Sequence, residues 1–248
     1  MADESRGGRV RSGHAIAATT PVLAAGVGVR HGWGWALRSA SFRLECPISG
    51  RTAFGIAISR HGTSDHGISN HGAAAALVDL LAGLVRPTYG ELRVLGEDLT
   101  TARGRSAVRG QVGVARRIAR PQPAFRVRGL VEHAARLARL PRRDRDPLAA
   151  AIVDRLSLTP WADVPLRAVP DVICRRTRLA AAAVHQPDLL LIDGLLDDLC
   201  PRDSVALADA IRDLGRDTTV VATGREAATL ALACGEVLTM ADGILVRP

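Results

Sequence analysis

Leu80-Leu81-Ala82-Gly83-Leu84-Val85-Arg86-Pro87-Thr88-Tyr89-Gly90-Glu91, continued by Leu95-Gly96-Glu97-Asp98-Leu99, decides the fold. Apolar residues from Ala73 to Leu84 recur at helical spacing, Pro87, Thr88 and Gly90 stop the helix, and Glu91 to Leu95 reads as a strand. Upstream, Thr52 to Ile58 predicts a buried strand that feeds this helix through a tract of Gly, His and Ser. Downstream, Thr177 to Val184 predicts a helix running into Pro187. Asp188-Leu189-Leu190-Leu191-Ile192-Asp193 follows as a continuous apolar strand bounded by carboxylates.

Further outward the alternation persists. Leu23 to Val29 and Ala40 to Leu44 are short apolar segments separated by Gly and Trp turns, suggestive of paired strands. Ser106 to Val114 starts a new unit. Helices are expected from Leu130 to Leu140 and from Ala149 to Leu156, joined by a charged, proline-containing loop from Pro141 to Pro147. Val205 to Leu214 reads as a helix, Thr218 to Ala222 as a strand and Ala227 to Ala233 as a helix. Glu236 to Met240 and Ile244 to Val246 flank Ala241-Asp242-Gly243 as a closing hairpin. Helices alternating with buried strands predict an α/β domain with a mainly parallel sheet over residues 21–248, behind a loose tail at 1–20.

Composition narrows the function classes. The chain is 248 residues long and 47% apolar, enough to bury a sizeable core. Its formal net charge is +8, and all 33 basic residues are Arg. Arg is densest from Arg103 to Arg145, but acidic and apolar positions interrupt the later part, and aromatics amount to 3% of the chain. Base-stacking platforms are therefore scarce, which argues against nucleic acid as partner. Cys46, Cys174, Cys200 and Cys234 are scattered without a C-x-x-C pair, as suits reduced thiols in the cytosol. Arg6, Arg9 and Arg11 precede a mildly apolar stretch, yet Asp3, Glu4, Thr19, Thr20 and Pro21 speak against a signal peptide. No run approaches the ~18 apolar residues of a membrane span, so membrane attachment would go through a partner.

One short repeat stands out: Ser59-Arg60-His61-Gly62, Ser64-Asp65-His66-Gly67 and Ser69-Asn70-His71-Gly72. Three imidazoles could ligate a metal. The glycine after each His and the lack of a surrounding Cys or acidic cluster favour duplication of a loop instead.

In order and spacing, these segments resemble the ATP-binding subunit of an ABC transporter of the drug- and antibiotic-export type, over about residues 22–248. The run from Leu80 to Glu91 is similar to the segment after that family's phosphate loop, and Asp188 to Asp193 to its Walker B strand. The resemblance implies a P-loop NTPase-like, RecA-like core with an N-terminal antiparallel β element and a helical subdomain near 118–176. It also implies ATP and Mg²⁺ as cofactors, a membrane permease as partner, and a homo- or heterodimer of ATP-binding subunits. The location would be cytoplasmic, peripheral at the inner face of the cell membrane. The permease would dock near Arg116, Arg117 and the segment through Leu130.

The residues depart from the family where its chemistry lies. Such a site needs backbone N–H groups around the phosphates, a Lys on the β- and γ-phosphates and a Ser/Thr hydroxyl on Mg²⁺. The corresponding stretch is Ser69-Asn70-His71-Gly72-Ala73-Ala74-Ala75, with Ala74 at the Lys position and Ala75 at the hydroxyl position. If the first repeat unit is the loop instead, Asp65 takes the Lys position; Arg60 is a candidate substitute for the Lys. Gly194 stands where the family has the carboxylate that acts on the attacking water, and Gly224 replaces the switch His. Arg117 stands for the Mg²⁺-sensing Gln, Cys200 for an Asp, and Val169-Pro170-Asp171-Val172-Ile173 for the signature segment. Asp193 alone matches, as a ligand of Mg²⁺ through water or, equally well, as a loop carboxylate ending a buried strand. The sequence thus predicts no catalytic residue, a weak or absent hold on ATP and a non-catalytic subunit. An active exporter ATPase and a soluble Arg-rich regulatory or nucleic-acid-binding module are the rival readings.

Overall fold

The apolar strands bury both their faces. A computed structural model describes residues 20–31, 34–45, 52–58, 70–117, 125–241 and 244–246. Its strands are β1 (Val22–His31), β2 (Gly34–Leu44), β3 (Ala53–Ile58), β4 (Tyr89–Val94), β5 (Glu97–Asp98), β6 (Val112–Arg116), β7 (Leu189–Asp193), β8 (Thr219–Gly224), β9 (Glu236–Ala241) and β10 (Ile244–Val246). Its helices are α1 (Asn70–Leu81), α2 (Ala102–Arg109), α3 (Val127–Leu137), α4 (Arg142–Arg155), α5 (Asp171–Ala183), α6 (Pro201–Leu214) and α7 (Ala227–Ala231).

The central sheet has the order β10-β9-β3-β8-β7-β6. β9, β3, β8, β7 and β6 run parallel, and β10 returns antiparallel to β9. Phe54, Ile56, Leu189, Leu191 and Val221 face a core shared with α1 and the second sheet. Ala53, Ala57, Leu190, Ile192, Val220 and Ala222 face the opposite core, built with α3 to α6. This is the period-two alternation of a strand with both faces covered, so each strand reads as an unbroken apolar run. The second sheet, β2-β1-β4-β5, is antiparallel throughout. The expected α/β core and N-terminal antiparallel element are both present.

Small residues set the closest approaches. A methyl group on Gly113 in β6 would lie 2.1 Å from the carbonyl oxygen of Ala182 in α5, so only glycine lets the helix and strand backbones meet there. Ala-rich α1 and α5 pack against the sheet where larger side chains would hold them off.

Three expectations need correction. Pro141 to Pro147 is not a connecting loop: α4 already starts at Arg142 and holds Pro147 inside it. Pro147 forgoes one helical N–H there, but the helix start is anchored from outside. Asp144 N–H donates to Pro141 O, and Arg145 Nε donates to Leu140 O at 2.7 Å. α5 begins at Asp171, not Thr177, because Pro170 carries an extended backbone into the helix and Asp171 pairs with Arg175 across its first turn. α1 likewise starts at Asn70 and ends at Leu81. Between residue 125 and α5 the described chain is helical, with two short 3₁₀ turns (Thr159–Trp161 and Leu166–Ala168) after α4. No described helix is long and apolar enough to cross a membrane.

Candidate functional site

Parallel α/β sheets present their ligand sites at the carboxyl ends of the strands, and there Arg116, Asp193 and Thr223 line up across β6, β7 and β8. Asp193 Oδ1 accepts a hydrogen bond from Thr223 Oγ1 at 3.0 Å, and its backbone carbonyl accepts from Arg117 N–H at 2.9 Å. Burial pushes the Asp193 carboxyl above the ordinary aspartate range; the Thr223 hydrogen bond and Arg116 oppose this, while Asp79 and Asp197 add to it. The Arg116 guanidinium itself is held by Asp79 of α1, Nη2 to Oδ1 at 2.5 Å.

The turn after β7 carries the second half of the site. Gly194 has φ +65°, in the left-handed region that favours glycine, and its N–H donates to Thr223 O at 3.0 Å. Asp197 N–H donates back to Gly194 O, and Asp197 Oδ1 accepts from Arg225 N–H at 2.9 Å. A methyl group on Gly194 would sit 3.3 Å from Asp197 Oδ2, and one on Gly224 3.2 Å from Oδ1. The Asp197 carboxylate thus occupies the space between the two glycines. Asp198 takes Arg117 Nη1 at 2.5 Å on one oxygen and Arg225 Nη2 on the other. These hydrogen bonds, Arg225 first and Arg117 second, hold its carboxyl below the usual range.

A buried guanidinium ties this turn to α5. Arg175 is only 4% exposed. Its Nη1 donates to Leu195 O at 2.7 Å and Asp197 O at 2.5 Å, while Nη2 lies 2.5 Å from Asp171 Oδ2. Arg116, Arg117, Arg175 and Arg225 are therefore each ion-paired within the chain, by Asp79, Asp171, Asp197 and Asp198, although the buried Arg225 Nε makes no hydrogen bond.

Of the residues singled out in the sequence, Arg117, Asp193, Gly194 and Gly224 come together here. Arg117 points its guanidinium at Asp198 and gives Asp193 only its backbone N–H. Asn70 to Ala75 form the opening of α1, with Ala73 and Ala74 buried and Gly72 and Ala75 half-buried. Cys200 is exposed and caps the start of α6. Ser69 and the repeat from 59 to 69 lie outside the described residues. A magnesium-bound triphosphate asks for an ammonium group, a hydroxyl and oxygen ligands that are free to coordinate. The described residues offer methyl groups at Ala73, Ala74 and Ala75, one half-buried carboxyl already accepting a hydrogen bond, and no group of three or more His, Cys, Asp or Glu placed to hold a metal. Among the described residues, that donor set does not fit the group.

A solved structure described as cbiO1 from Clostridium perfringens, part of the ABC transporter complex cbiONQ, superposes with a TM-score of 0.75 over 92% of this chain and 87% of that one, at 15% identity. The fold is that of an ABC-type ATPase. In sequence this chain resembles the methionine import ATP-binding protein MetN 2 of Burkholderia mallei, 27% identical over 177 residues, covering 70% of this chain and 45% of that protein. The daunorubicin resistance ATP-binding protein DrrA3 of Streptomyces coeruleorubidus is 30% identical over 148 residues, covering 59% and 46%. The chain spans about half the length of these curated relatives. No protein-family model matches it.

Sequence reasoning missed Asp79, Arg175, Asp197, Asp198, Thr223 and Arg225. The i, i+4 pair Asp171 and Arg175 was a readable sign of helix from Asp171 onward. The others meet only through the order of the strands.

Proposed function

We propose that this chain is an ABC transporter ATP-binding-subunit homologue that acts as a non-catalytic partner of a membrane permease or of a competent ATPase subunit. Its place would be cytoplasmic, at the inner face of the membrane, held there by the partner. The observation that carries the reading is the closed set of Arg–Asp pairs around Asp193, which spends on itself the charges that would otherwise meet phosphate and metal. The residues Ala74, Ala75, Gly194 and Gly224 support it, since none brings a proton-accepting or cation-bearing side chain.

Magnitudes favour the reading. One missing preorganised electrostatic donor costs roughly 10²–10³ in rate, and a missing general base roughly 10²–10⁴. These effects are not additive, yet two lost together already leave little turnover. The names of the relatives, ATP-binding proteins for import and for drug resistance, favour the transport setting over a free-standing nucleic-acid module.

Calorimetric titration of the full chain with ATP and Mg²⁺, paired with a phosphate-release assay, tests the proposal. The expected outcome is no saturable heat at micromolar nucleotide and phosphate release at background. Micromolar binding with turnover overturns it in favour of an active ATPase subunit.

A further inference from the structure

Arg117 and Arg225 each follow the last residue of a strand, β6 and β8, and these two strands flank β7. Asp198, in the turn after β7, takes both guanidiniums on separate oxygens. Arg117 Nη1 reaches Oδ2 at 2.5 Å, and Arg225 Nη2 reaches Oδ1. An ion pair within one helix steadies only that helix. Here the partners come from the ends of three adjacent strands, so one carboxylate links all three segments that leave the sheet at this edge.

The Asp198 backbone shows that this contact is held against a cost. Its φ is +58°, in the left-handed region. That conformation is unfavourable for a residue with a Cβ, and Asn and Asp tolerate it best. Charge-assisted hydrogen bonds on both carboxylate oxygens offset the cost. The rest of the turn is anchored independently, by Arg175 on Leu195 O and Asp197 O and by Gly194 N–H on Thr223 O. The turn is thus a firm mount from which Asp198 reaches out to either side. Arg117, at a position that the sequence resemblance assigns to sensing Mg²⁺, is engaged by the chain's own carboxylate.

We propose that Arg117, Asp198 and Arg225 form a clasp that holds the segments after β6, β7 and β8 in one arrangement without any ligand, and that frees all three together when either ion pair breaks. The clasp rests on the proposed function for its biological sense: a subunit that does not depend on nucleotide would offer its partner a preformed face. The Asp198 side chain is 48% exposed, so salt screens both pairs and ionic strength sets how far the clasp stays shut.

Residue-resolved hydrogen exchange on the full chain, with nucleotide absent throughout, tests this. The reporters are Arg117 N–H on Asp193 O, Gly194 N–H on Thr223 O and Arg225 N–H on Asp197 Oδ1. After correction for intrinsic rates, Asp198→Asn should speed exchange at all three by about 2- to 30-fold, the range for losing two exposed ion pairs. Arg117→Gln should speed Gly194 and Arg225 as well as its own segment, and Arg225→Gln should speed Gly194 and Arg117. Leu156 N–H, bonded to Ile152 O at the end of α4, should not change. Asp198→Gly accepts the left-handed backbone without a carboxylate and should exchange as fast as Asp198→Asn. In the unsubstituted chain, raising salt from about 0.1 to about 1 M shortens the screening length from about 10 to about 3 Å and should speed the same three amides. Acceleration confined to the substituted segment, slow exchange in Asp198→Gly, equal acceleration at Leu156, or no response to salt would each overturn the proposal. Because no nucleotide is present, the outcome does not turn on whether ATP binds, and the two readings fail separately.

Discussion

Replacing Arg175 by Met measures how much of the structure depends on one buried guanidinium. Three groups lose their partner: the carbonyls of Leu195 and Asp197, and the carboxylate of Asp171. The carboxylate matters least, because the Asp171 side chain is 67% exposed and water replaces the arginine there. The carbonyls matter more. Each lost bond to a charged donor inside the fold costs about 1.5–3 kcal/mol, and methionine fills the space without donating. Two such bonds sum to about 3–6 kcal/mol, and the range for breaking a buried charged contact narrows the destabilisation to about 3–5 kcal/mol. For a domain of this size that lowers Tm by roughly 6–20 °C, at about 2–4 °C per kcal/mol. The control is Asp171→Ala, which removes the solvent-exposed carboxylate and a first-turn acid of α5 while leaving Arg175 bound to both carbonyls, and should cost under about 1.5 kcal/mol. Urea unfolding at neutral pH reads both. Equal losses for the two variants would mean that the ion pair, not the carbonyl anchors, carries the energy, and the reasoning would fail.

Other measurements probe other parts of the molecule. Asp193→Asn should raise stability at neutral pH, because a carboxyl whose folded pKa lies above its unfolded value is disfavoured there in its charged form. The gain should shrink as pH falls through that raised pKa and the native carboxyl takes up its proton; a loss of stability at pH 7 would contradict the burial argument. Gly113→Ala sets a methyl group against the Ala182 carbonyl and should cost at least about 1–3 kcal/mol, as overpacking does, seen as a lower Tm or loss of soluble protein; a neutral effect would show that β6 and α5 separate freely. Among the described cysteines, Cys200 should react at once with a thiol-specific chromogen. Cys174 and Cys234 should react only in denaturant, Cys234 being pushed up to about 12 by burial.

The parallel sheet was legible because its strands are short apolar runs between helical patterns, and burial on both faces writes itself as unbroken hydrophobicity. β6 was harder: only five residues long, with Gly113 as its second, it carries a weak strand signal until α5 is known to lie against it. Pro147 misled because proline usually interrupts a helix, whereas here contacts from Pro141 and Leu140 secure the first turn regardless. At the site, Asp193 could be found because it ends an apolar strand. The arginines that neutralise its surroundings could not. Arg225 and Asp198 are 27 residues apart and meet only because β8 lies beside β7. A scan for charged residues sees 33 arginines of equal standing and cannot tell which ones the fold pairs.

The left-handed backbone at Gly194 also bears on how such a chain can change over generations. A glutamate arriving there by a single codon change would be forced into a conformation that costs an L-residue about 1–2 kcal/mol. Its Cβ would be 3.3 Å from the Asp197 carboxylate, which repels a second negative charge. Placing an acid at this position therefore asks for the turn to be rebuilt and Asp197 to be replaced as well, so a single substitution there meets backbone strain and like charge together.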